Sequence, residues 1–162
     1  MRNEEISNFF CQQPPDLKDW TRRRNHFFDY GLKFYNITDR VDIGKKFYAL
    51  ENELERAYCS GCYLACIMIS KAIIEYIEKK AEKIKILTDY KEKLFYCSDA
   101  FSWIHERRKN LFHSGSKEQS NSISRSEMFN MQEELERDAV KACSAIYYSA
   151  RAFVQTYKLK IK

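Results

Sequence analysis

The sequence predicts an all-α protein, an up-and-down bundle of four main helices with short helices at its N-terminal end. Three observations carry that prediction. Only 4 glycines and 2 prolines occur in 162 residues, too little punctuation for a many-stranded sheet. Apolar residues recur at steps of three and four along most of the chain, the period of a helix face. A composition of 44% apolar and 31% charged residues belongs to a folded chain rather than a disordered one, and the length suits one domain with a proper core.

Residues 1–41 read as an N-terminal extension packed on the core, and residues 42–162 as the bundle itself. Pro14 and Pro15 break any helix in the extension. From Asp16 onward Leu17, Trp20, Phe27, Phe28, Leu32 and Phe34 predict one or two short helices that cover the core. Arg22, Arg23 and Arg24 form a basic cluster, read as a solvated face in preference to a phosphate contact.

The first main helix is expected from about Asp42, a good N-cap residue, with Phe47, Leu50, Leu54 and Tyr58 at helical spacing. Cys59, Ser60 and Gly61 end it, and a second helix from about Cys62 into the 80s completes a tight helical hairpin. That second helix is apolar nearly all round, as a central core helix is. Lys71 and Glu75 on it are four apart and able to pair. A third helix is expected from near Asp89 to Gly115, a residue suited to the left-handed position that closes helices. The fourth opens on a capping-box match, Ser124 to Glu127. It continues through Met128, Met131, Leu135, Ala139, Ala142, Ile146, Ala150, Phe153 and Tyr157 in unbroken steps of three and four.

Composition narrows the partners. The net charge of +5 is compatible with a phosphate backbone but is ordinary for a domain of this size. Cys59, Cys62 and Cys66 have no second Cys or His pair at finger-like spacing, so they read as small packing residues, with no metal site expected. Unpaired cysteines, and no apolar signal-type segment after Met1, point to a reducing cytoplasm. The greasiest stretch, residues 62–77, is interrupted by Ser70, Lys71 and Glu75, and falls short of the roughly 20 apolar residues a membrane span needs. No membrane contact is expected.

The third helix holds the anomaly. Positions 94, 97, 101, 104, 108 and 111 form one stripe, apolar except at Arg108. A guanidinium on such a stripe is costly unless it is paired or opens onto a cleft or partner. His113, suited to proton transfer near neutral pH, follows five residues later. Residues five apart on a regular helix point about 140° away from each other. Either the helix unwinds at residues 111–113, or a second copy of the chain completes the site across a two-fold interface.

Arg108 and His113, with Lys109, Asn110, Leu111 and Phe112 between them, resemble the arginine–histidine signature of the HEPN superfamily. The hairpin from Tyr58 to Glu75, with its glycine turn and the basic residue and glutamate four apart, resembles the upstream part of such domains. The resemblance covers about residues 42–158. It implies a metal-independent endoribonuclease without cofactor, of toxin, antiphage-defence or RNA-processing type. The enzyme is then a homodimer acting on RNA, with an antitoxin or regulatory protein as a further partner. His113 is then the proton-transfer group for attack of the 2′-hydroxyl on the adjacent phosphate, and Arg108 holds that phosphate. Lys109 and Asn110 add phosphate or base contacts. Arg107 serves as an auxiliary, or replaces Arg108 as the signature arginine with five residues before the histidine. Lys109 stands where the family usually has a small polar residue, and no tyrosine follows two after His113. The competing reading is a non-catalytic helical dimerisation or ligand-sensing module of the same fold.

Overall fold

The computed structural model describes residues 16–38, 42–94, 98–113 and 125–161; within these, the side chains of 32, 33, 35–38, 98, 108, 110–113, 125–129 and 161 are not described. The described residues are all-helical, with six helices packed as a bundle: α1 Leu17–Thr38, α2 Lys45–Cys59, α3 Tyr63–Lys83, α4 Leu87–Leu94, α5 Ser98–His113 and α6 Arg125–Ile161.

The central pair is α3 against α6. Isoleucines 67, 73, 74 and 77 of α3 meet a face of α6 rich in small residues: Ala139, Ala142, Cys143, Ala145 and Ala150, all buried. Small side chains let the two helices approach closely, and close packing gives each isoleucine its dispersion contacts. Around this pair α2 packs on α3 and α1, α1 on α6 and α2, α4 on α6 and α3, and α5 on α3 and α6.

The α2–α3 hairpin follows the sequence signals closely. Gly61 takes φ 74°, a left-handed conformation that costs other residues about 1–2 kcal/mol. The Cys62 and Ser60 amides donate to the carbonyls of Ala57 and Arg56, closing the turn. At the other end of α2 the N-cap is Gly44 rather than Asp42. Asp42 still serves the turn, since its Oδ1 accepts the Gly44 amide at 2.7 Å.

Among the described residues of the N-terminal region, Leu17–Thr38 form one helix of 22 residues, longer than the short helices expected from Asp16 onward. Phe27 and Phe34 of α1 are buried in the same cluster as the isoleucines of α3. Of the three arginines, Arg22 and Arg24 are exposed and paired with Glu136 and Glu55. Arg23 instead is buried, its guanidinium 5.4 Å from the centre of the Tyr63 ring and its Nη1 donating to the Cys59 carbonyl. It ties α1 to the α2–α3 turn, where a Cβ on Gly61 would stand 3.1 Å from that nitrogen.

The region expected as a third helix from Asp89 contains two helices, α4 and α5, with residues 95–97 outside the described residues. Helix α4 starts two residues before Asp89, which sits in its first turn and offsets the positive end of the helix dipole. Gly115 and Ser124, the expected terminators and caps, also lie outside the described residues. With 37 residues, α6 is about 56 Å long against about 32 Å for α3. It therefore outreaches its partner. Residues 130–134 are all exposed, including Met131 of the predicted apolar stripe, and burial begins at Ala139.

Candidate functional site

Helix α5 carries the residues singled out by the sequence. It is fixed from within by Ile104, fully buried, and by Phe101 and Trp103, which pack on the core. Its direction along α6 follows from two contacts: the Lys141 ammonium lies 4.2 Å from the Trp103 ring centre, and Arg107 meets Asp138 and Glu134. Moving forward along α5 moves backward along α6, so the two run antiparallel. The same register carries positions 110–113 toward the exposed Met131 turn, past the end of the core.

Arg107 is engaged on both arms. Its Nε donates to Asp138 and its Nη2 to Glu134, each at 2.6 Å. Two carboxylates more than offset the one positive charge, which leaves Arg107 poorly suited to hold a phosphate. Lys109 is exposed. The side chains of Arg108, Asn110 and His113 are not among those described, but their backbone is helical without interruption. Helix α5 thus continues through 111–113 and does not unwind there. Positions 108 and 113 are separated by about 7.5 Å along the axis and about 140° around it. One chain with a regular helix does not bring these two positions to one point.

A cleft of about 340 Å³ opens between α3 and α5, one turn before Arg108. Ile74 and Phe101 form its apolar part; Lys71 and Glu78 line it from α3, and Ser102, His105 and Glu106 from α5. The expected Lys71–Glu75 pair is present, with 3.5 Å between Nζ and Oε1. His105 was not predicted as a site residue. The available signal was its step of four from Phe101, which places the imidazole on the side of α5 that faces the Lys71 stripe. A smaller hollow of about 190 Å³ between α1, α2 and α6 is aromatic and acidic, with Phe27, Phe28 and Tyr147 beside Glu51 and Glu55; it contains none of the predicted site residues.

Three of the four described cysteines behave as packing residues, whereas Cys62, expected to be one, is exposed at the N-cap of α3. Cys59, Cys66 and Cys143 are buried, and burial pushes their thiols up, that of Cys66 to about 12. Protonated thiols are poor nucleophiles and poor metal ligands. Among the described residues no group of three or more His, Cys, Asp and Glu side chains is placed to hold a metal ion, and no helix is long and apolar enough to cross a membrane. No known protein family, curated protein or solved structure matches the chain.

Proposed function

We propose that the chain is a metal-independent endoribonuclease of HEPN type, working in toxin action, phage defence or RNA processing, with a composite site of Arg108 and His113 at a homodimer interface. The observation that carries this reading is the engagement of Arg107 by Asp138 and Glu134 on an uninterrupted α5. It leaves Arg108 as the arginine of the motif. The overhang at this end of the bundle supports a second copy, because Met131 is exposed beside it, an apolar side chain that a partner surface would cover.

The chemistry asked of the two residues is modest in kind. His113 takes the proton of the RNA 2′-hydroxyl as its oxygen attacks the neighbouring phosphorus. The bond to the 5′-oxygen breaks, and that oxygen regains a proton, giving a 2′,3′-cyclic phosphate and a 5′-hydroxyl. Positioned proton transfer contributes about 10²–10⁴-fold. Arg108, a fixed guanidinium fork, holds the phosphate and stabilises its developing charge, worth about 10²–10³-fold. Lys109 and Asn110 extend the phosphate contact, and an antitoxin or regulatory protein is the partner that restrains such an activity in the cell.

The test is cleavage of RNA by purified protein in EDTA. Wild type cleaves and Arg108→Ala and His113→Ala do not; expression of wild type arrests growth and Arg108→Ala relieves it. Mixing the two inactive variants tests the shared site, because a heterodimer regains one site with Arg108 from one copy and His113 from the other. No rescue on mixing refutes the composite arrangement. A well-folded dimer that cleaves nothing supports the non-catalytic module instead.

A further inference from the structure

The cleft between α3 and α5 joins an apolar floor to a partly sequestered cation and two carboxylates. On α3 residues 71, 74, 75 and 78 recur at steps of three and four and so share one face. Its volume of about 340 Å³ lies at the small end of the range for ligand pockets, suited to one flat ring system. The Lys71 side chain is 16% exposed, and its ion-pair contact among the described residues, to Glu75, is 3.5 Å long. That is longer than the roughly 2.7–2.9 Å of a charge-assisted hydrogen bond, so the ammonium keeps donors for a third group.

We infer that this cleft binds a guanine base. The ring lies on Phe101 and Ile74. Its N1–H and N2–H₂ donate to the carboxylates of Glu106 and Glu78, and its O6 accepts from Lys71. Among the four RNA bases, guanine alone presents two adjacent donors on its Watson–Crick edge with a carbonyl acceptor beside them. Adenine and cytosine would set a ring-nitrogen lone pair against a carboxylate, and uracil offers one donor between two acceptors. Position 108 follows His105 by three residues, about 4.5 Å along the axis and near the same face of the helix. A guanosine seated in the cleft therefore directs its phosphate toward the position of Arg108. This last step rests on the ribonuclease reading; the base site does not.

The test measures binding and cleavage separately, on the full chain. By calorimetry, guanosine 5′-monophosphate binds about tenfold or more tightly than the adenosine, cytidine and uridine monophosphates, the discrimination of one base-edge hydrogen-bond pair. Glu106→Gln and Glu78→Gln each weaken that binding about tenfold while the melting temperature stays that of wild type, and Phe101→Leu weakens all four nucleotides alike. Equal affinity for the guanosine and adenosine nucleotides, or unchanged affinity in both glutamine variants, overturns the site. With a synthetic RNA containing a single guanosine, scission next to that nucleotide places the base within an RNA substrate, and scission without preference removes it from there. Guanosine monophosphate binding with no scission of any RNA sinks the ribonuclease reading and assigns the cleft to a free guanine nucleotide.

Discussion

Arg107→Ala separates a structural arginine from a chemical one. The Arg107 side chain is 25% exposed, Asp138 is 15% exposed and Glu134 is 53% exposed. The two arms therefore carry unequal weight. A hydrogen bond from a charged donor to the half-sequestered Asp138 is worth about 1.5–3 kcal/mol. The Glu134 arm faces water and adds about 0.2–1 kcal/mol. The truncation thus costs about 2–4 kcal/mol, much of it from the Asp138 carboxylate left without its partner. For a domain of this length that lowers the melting temperature by about 4–16 °C. Arg107→Lys recovers less than half, because an ammonium does not reach two carboxylates with the fork of a guanidinium. Well below its melting temperature Arg107→Ala retains RNA cleavage, whereas Arg108→Ala loses it. A thermal melt followed by helical circular dichroism, with cleavage measured on the same sample, decides the matter. If Arg107→Ala melts within about 1 °C of wild type, or loses cleavage while folded, the division of roles between the two arginines is wrong.

Other consequences follow from burial and backbone geometry. The Cys66 thiol keeps its proton to about pH 12 in the folded chain, against an ordinary value near 9. Its contribution is intact below pH 9 and declines between 9 and 12, where only the unfolded chain releases the proton, at up to about 1.4 kcal/mol per pH unit. Cys66→Ala flattens the alkaline loss of stability by up to that slope in urea titrations, and an unchanged slope contradicts it. Tyr90→Phe removes the buried 2.6 Å bond between the Tyr90 hydroxyl and Ser149 and costs about 1–3 kcal/mol. Adding Ser149→Ala recovers part of that loss in the same denaturation assay, because it removes the stranded hydroxyl. Gly61→Ala costs about 1–2 kcal/mol from its left-handed φ alone, read as a drop in urea midpoint.

The legible parts of this fold are those set by local signals. A glycine in a left-handed turn between two apolar periodicities specifies the α2–α3 hairpin, and an unbroken stripe specifies α6. The less legible parts depend on partners distant in the chain. Arg23 reads as one of three solvated arginines, yet it is buried because the Tyr63 ring and the Cys59 carbonyl, some 40 residues on, receive it. The division of residues 87–113 between α4 and α5 carries no glycine or proline signal. The exposure of Met131 depends on how far α6 outreaches α3, a comparison of two elements that neither periodicity contains. The cleft is of the same kind: Lys71 and Glu75 suggest a simple surface pair until α5 brings His105 and Glu106 opposite them.

Two consecutive arginines, Arg107 and Arg108, stand at the start of the motif and face different surroundings. Neighbouring positions on a helix point about 100° apart, so residues 107 and 108 do not serve one neighbour. Position 107 faces α6, where Glu134 and Asp138 are four apart and form one acidic edge. Position 108 is turned away from that edge, three residues beyond His105 and the cleft. Holding those two carboxylates with a dedicated arginine leaves the next one for an anionic ligand. Neutralising one carboxylate of the edge gives the sharpest contrast. Asp138→Asn loosens Arg107 and lowers stability, yet by withdrawing a negative charge it leaves phosphate binding at position 108 undiminished. A variant that lost both together would place Arg107, not Arg108, at the phosphate.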